Sequence, residues 1–198
     1  MLNIPEYKEY AGETKIALMD NSSLAFMHEL SQRSYPSDRI LGVYDLILIP
    51  KWVMEEIEDS TYRSTYVEQL QAQGYPIRWI DETKYGTFVN DEDVNLYYIV
   101  EAAVSRVSEL MRFLRRKVKT EDLIDLPSAE EWMNRLYDEW PIHGRTLSTG
   151  RVLKKNAGEI SLTILAEVFA WYHDEVNSLT SIRRIRMRMS SKRMQNGC

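Results

Sequence analysis

The sequence predicts an α/β fold with three layers, α/β/α, around a central parallel sheet. Three observations carry this. Ile16 to Met19 (IALM) and Leu46 to Ile49 (LILI) are short, unbroken apolar runs, the pattern of strands buried on both faces. A third run, Pro76 to Ile80 (PIRWI), follows them. The stretches between carry helical spacing, and the order strand–helix–strand–helix–strand argues for right-handed parallel crossovers.

Residues 1–14 are polar, with Pro5 and Gly12, and read as a lead-in. The first strand runs into Asp20. The carboxyl end of a strand is where open α/β sheets bind ligands, so Asp20 is a candidate site residue. Asn21, Ser22 and Ser23 suit a helix start, with Leu24, Met27, His28 and Leu30 on its inner face. Asp is also a favoured helix N-cap, and both readings of Asp20 stand. Ser34 to Asp38 reads as a turn around Pro36. After the LILI strand, Pro50 fits the first position of a helix. Val53 and Ile57 face inward there, with Glu55 and Glu56 between them. Acids in a first turn also complement the helix dipole. Gly74 ends this helical region, and Asp81 and Glu82 follow the third strand.

Asp91 to Lys119 reads as one long helix. Tyr97, Val100, Val104, Val107, Met111, Leu114 and Val118 recur at spacings of three and four, the narrow stripe of a helix packed on another helix. Acids at its start and Arg115, Arg116 and Lys117 at its end match the macrodipole. Past Pro127, Ser128 and Glu131 form a capping-box pattern. Trp132, Leu136 and Trp140 then make one face of a short helix. Residues 86–141 thus read as a helical insertion within a single domain, 1–198.

Residues 142–155 read as a basic loop carrying Arg145, Arg151, Lys154 and Lys155. These could position backbone phosphates, or form a solvated loop. The glycine spacing excludes a P-loop. A helix starts at NAGE, Asn156 to Glu159, with Ile160, Ile164, Val168 and Trp171 on its apolar face. Asn156 with Glu159 also has capping-box spacing. Val176 to Thr180 reads as a fourth strand, with Ser181 and Ile182 at its carboxyl end. A basic tail, 183–198, follows.

The net charge of −5 conceals an asymmetry. Six of the 25 basic residues follow Glu175 and no acid does. The body before them carries 19 basic against 30 acidic residues, which does not suit a constitutive duplex-DNA binder. Carboxylate-rich clefts suit magnesium or manganese. A single cysteine, Cys198, leaves no internal disulfide, and His28, His143 and His173 lack zinc spacing. No apolar run approaches the length of a membrane span, so the expected location is cytoplasmic.

With these pieces placed, the chain resembles the PIN-domain nucleases. The matching stretches are MDNSSL at Met19 to Leu24, IPKWVMEEI at Ile49 to Ile57 and NAGEISLTILA at Asn156 to Ala166. They are similar to that family's first aspartate, second-motif glutamate and third-motif Gly-Glu. The resemblance implies a PIN-like fold in which Asp20, Glu56 and Glu159 are catalytic and hold Mg²⁺ or Mn²⁺. The implied activity is hydrolysis of phosphodiester bonds in RNA, expected to be single-stranded. Many prokaryotic members are toxins held by an antitoxin; here an antitoxin or a second copy would dock through the 91–119 helix. Two positions depart from the family pattern. Asn156 stands where related motifs often have Asp, and Ile182 replaces the usual fourth acid. The alternative is therefore a catalytically weak or inactive PIN-like protein that binds RNA or a protein partner.

Overall fold

The sheet begins with β1 (Lys15–Met19), whose last four residues are buried. In the computed structural model, which describes residues 3–89, 93–118, 126–147, 149–173, 176 and 178–182, β1 is followed at once by α1 (Asn21–Gln32). A short α2 (Asp38–Leu41) leads to β2 (Leu46–Pro50), all five residues of which are buried. Two helices, α3 (Lys51–Glu58) and α4 (Thr61–Ala72), precede β3 (Ile77–Ile80). A fourth strand, β6 (Ser178–Ile182), enters at the far end of the chain. The order is β3-β2-β1-β6, and every pairing is parallel. The two unbroken apolar runs therefore occupy the central positions. A strand between two neighbours with helices packed over it has no solvated face, so alternation is absent.

The chain returns from β3 to β6 through its helical part. A 3₁₀ segment (Glu82–Val89) is followed by α5 (Asp93–Val104), α6 (Ser108–Lys117) and α7 (Ala129–Asp138). An antiparallel hairpin, β4 (His143–Thr146) and β5 (Val152–Lys154), then leads into α8 (Ala157–Tyr172). Helices α1, α3 and α4 contact one another, while α8 contacts α5, the 3₁₀ segment, β1 and β2. This mixed α/β architecture is compatible with three layers, as right-handed crossovers to either side of β1 require.

Four expectations are corrected. The long 91–119 helix is two helices, broken at Ser105–Val107. Val107 is extended (φ −119°, ψ 94°) and the Ser105 hydroxyl donates to the Ala102 carbonyl, the local bonding by which serine competes with helix continuation. Asp91, Glu92 and Lys119 lie outside the described residues. The basic 142–155 loop contains the β4–β5 hairpin. The fourth strand is shifted to 178–182, because its ends are set by a five-residue ladder running from Lys15↔Ser178 to Met19↔Ile182. Pro50 ends β2 and caps α3 rather than opening it. Its ψ of 147° is extended, and as an end residue it can lack an N–H.

The apolar stripe is covered within the chain. Val100, Val104, Leu114 and Val118 are buried, and α7 packs on both α5 and α6, with Tyr97 edge-on to a fully buried Trp132. An exposed stripe that would mark a docking face is therefore not present on these helices. Among the described residues no helix is long and apolar enough to cross a membrane.

Residues 1–14 are more than a lead-in. Glu6 forms a parallel bridge to Trp79, the Tyr7 N–H donates to the Trp79 carbonyl (2.7 Å) and the Trp79 N–H to the Pro5 carbonyl (3.0 Å). This segment covers the outer edge of β3.

Candidate functional site

Asp20 is the first residue past β1, in extended backbone (φ −96°, ψ 168°). Its Oδ1 accepts the Ser23 N–H at 2.6 Å, so it caps α1. The capping role and the strand-end position coincide, because β1 passes into α1 without a loop.

Glu56, near the end of α3, faces the same place. Its Oε2 accepts from Asn21 Nδ2 at 3.3 Å, and Asn21 Oδ1 in turn accepts from Arg63 of α4. Burial raises the Glu56 pKa, the Asn21 hydrogen bond opposes this, and the nearby Asp20 charge raises it further. Arg63 and Arg145 pull the other way. Glu56 thus faces the start of α1, where the charge of Asp20 reaches it. The neighbouring acid in α3 goes elsewhere: Glu55 pairs with Arg151 and accepts from the Tyr137 hydroxyl. Adjacent residues on a helix diverge by about 100°, which separates the two glutamates.

Glu159 stands in the first turn of α8 and is exposed. Its neighbour Gly158 is buried against α3. A Cβ at Gly158 would lie 3.1 Å from Val53 Cγ2 and 3.2 Å from Glu56 Oε1. Glycine lets the start of α8 approach the Glu56 carboxylate, and Glu159 is the next residue. Asn156 does not close a capping box: it adopts φ 64°, ψ 0°, and its side chain caps nothing. Asn is one of the few residues that adopt this left-handed conformation readily.

The basic residues of the 142–155 stretch divide. Arg145 pairs with Asp59 at 2.6 Å, beside Glu56. Arg151 is bound to Glu55. Lys154 donates to the Asp138 carbonyl (3.0 Å) and lies over the Tyr137 ring. Lys155 is exposed, with its carbonyl accepting from Trp140 Nε1. On the sheet's other flank, Ile182 pairs with Met19, one residue short of Asp20. The position level with Asp20 falls outside the described residues.

Taken together, the fold unites Asp20, Asn21, Glu56, Arg63 and Arg145, while Glu159 follows Gly158, whose backbone packs against Glu56. Among the described residues no group of three or more His, Cys, Asp or Glu side chains forms a ready metal cage. The donor type nonetheless suits a hard cation, which binds by a few carboxylates and retains waters. Sequence reasoning missed Asn21 and Arg63 as partners of Glu56, since a polar residue on a helix carries no signal of what it faces.

It also assigned no role to Glu82, at the end of β3. Glu82 is fully buried. Its Oε1 accepts from the Trp52 N–H (2.9 Å) and from Ser161 Oγ (2.7 Å), and Ser161 Oγ is 2.9 Å from the Tyr85 hydroxyl. Oε2 has no partner. Burial pushes its pKa up to about 8 against these hydrogen bonds, which favours the protonated carboxyl. The one available sequence signal was an acid at a third strand end. Beside it, Asp81 is also pushed up by burial, but its bonds to Lys51 and Thr83 win and hold it below the usual range.

No protein-family model, curated protein or solved structure matches this chain.

Proposed function

We propose that this chain is a PIN-like, metal-dependent ribonuclease acting at the carboxyl edge of its parallel sheet. The observation that carries the reading is the hydrogen bond from Asn21 to Glu56, which brings the Glu56 carboxylate to the start of α1, next to its Asp20 cap. Two carboxyls brought to one strand end, beside arginines, form a site at which a cation would offset their like charge. A bound Mg²⁺ or Mn²⁺ would supply Lewis-acid stabilisation of phosphate charge and activation of water. Asp20 and Glu56 would hold it, with Glu159 contributing from the rim. Arg63 and Arg145 would orient the phosphodiester of a single strand by charge and hydrogen bonding.

The test is cleavage of single-stranded RNA by purified protein with Mg²⁺ or Mn²⁺, against Asp20→Asn. Asn keeps the N-cap, being as good a cap as Asp, while removing the charge. Cleavage is expected from the parent and none from the variant. Equal rates would place the activity elsewhere.

A second reading rests on a specific observation. One Asp20 oxygen is already engaged by Ser23 N–H, and no three-acid cage exists among the described residues. This favours a catalytically weak or inactive relative that binds RNA or a protein partner. Binding of RNA without cleavage, across both metals, would support it.

A further inference from the structure

Next to the acid pair lies an open cavity of about 380 Å³, lined by Asn21, Ser22, Glu29, Ser60, Tyr62 and Arg63. Its volume lies toward the lower end of the roughly 300–1,000 Å³ range of small-ligand sites. Two of its walls belong to the network described above. Asn21 donates to Glu56 and accepts from Arg63, so its amide orientation is fixed by the charge on either side. Arg63 uses one N–H of its guanidinium in this bond, and the guanidinium has five.

Another part of the wall is aromatic. Tyr62 is 59% exposed, although it lies in the first turn of α4, a helix that buries Tyr66, Val67 and Leu70. Its ring is supported from behind by His28, at 3.8 Å between centroids and 68° between planes. His28 also meets the buried Tyr66 edge-on. An exposed ring held in place by a buried ring is preorganised: its orientation is fixed before any ligand arrives, which lowers the entropy cost of stacking.

We propose that this cavity holds one nucleobase of a single-stranded RNA, stacked on Tyr62, with the adjoining phosphate held by Arg63. The inference rests on the ribonuclease reading and deepens it, assigning Tyr62 as a substrate-positioning residue. The chemistry follows from what surrounds the ring. Stacking on an aromatic face tolerates every base, because every base has a π-face. Ser22, Ser60 and Glu29 present polar groups around the cavity wall, and Arg63 supplies the charge that a phosphate requires. The shared residues Asn21 and Arg63 make the base cavity and the acid pair contiguous. A nucleotide seated in one therefore delivers its neighbouring phosphodiester to the other.

The experiment uses the full-length Asp20→Asn protein, so that bound RNA survives. Fluorescence anisotropy measures its affinity for a short labelled oligouridylate and for an abasic strand of equal length. Stacking predicts that the base-bearing strand binds about tenfold more tightly. Tyr62→Leu keeps apolar bulk against His28 but has no π-face, and should erase that difference. Tyr62→Phe should preserve it. Arg63→Gln should weaken both strands alike and reduce the salt dependence by about one phosphate contact. Equal discrimination by Tyr62→Leu and its parent would overturn the proposal. RNA cleavage by the Tyr62→Leu single variant at the parental kcat/KM would overturn it too, while leaving the ribonuclease reading standing. No binding of either strand would overturn the cavity assignment; if the parent also failed to cleave RNA, the ribonuclease reading would fail separately.

Discussion

Glu82 shows how a single buried carboxyl can set the pH response of the fold. Its pKa rises from 4.5 to about 8 because burial disfavours the charged form. The native state therefore binds a proton that the unfolded chain releases above about pH 4.5. The stabilisation is complete below that value and is lost as pH rises through about 8. Glu82→Gln retains an acceptor for Trp52 N–H and Ser161 and removes the ionisation. Urea unfolding at several pH values should show a decline for the parent between about pH 4.5 and 8, and a much flatter profile for the variant. Parallel profiles would show that Glu82 is charged in the native state.

At the scale of elements, the contact of α8 with α3 is the one that brings the start of α8 against Glu56. Gly158 permits it. In an open helix, Gly→Ala would stabilise by roughly 0.5–1 kcal/mol. Here the added Cβ meets Val53 Cγ2 and Glu56 Oε1 at 3.1 and 3.2 Å. Val53 is β-branched and stiff, so the helix rather than the side chain must yield. Gly158→Ala is expected to destabilise the protein, within the roughly 1–3 kcal/mol cost of overpacking, as read by denaturant midpoint. An increase in midpoint would mean that the α3–α8 approach is looser than described. The break between α5 and α6 has a different character. It folds one apolar stripe back on itself, so that both halves bury against α7.

For the whole molecule, the exposed risk of an open parallel sheet is its edge. The β3 edge is closed by residues 4–7 through backbone hydrogen bonds to Trp79. Tyr7 also stacks on Phe88, at 5.7 Å and 12° between planes, which ties the segment to the helical part. Removal of residues 1–9 would free both the strand edge and an aromatic face. The shortened protein should melt at a lower temperature and associate with increasing concentration, as seen by sedimentation velocity. Unchanged melting and a monomer at all concentrations would show that the segment does not guard the edge.

The sequence by itself determined the sheet and its direction. IALM and LILI are apolar throughout because a central parallel strand has no face in water, and that pattern is local. It also singled out Asp20, Glu56 and the Gly158–Glu159 pair as candidates, since each sits beside an element boundary marked by such runs. The tertiary structure decided what those residues face. Asn21 and Arg63 join Glu56 only because α1, α3 and α4 meet, and helical surface positions carry no record of their neighbours. In the sequence Glu82 is one of two acids after a strand; its burial under α3 and α8 depends on the long return through the helical part. The helix break at Ser105–Val107 was likewise hidden. A stripe with spacings of three and four continues across it, and only packing against α7 distinguishes one straight helix from two folded together.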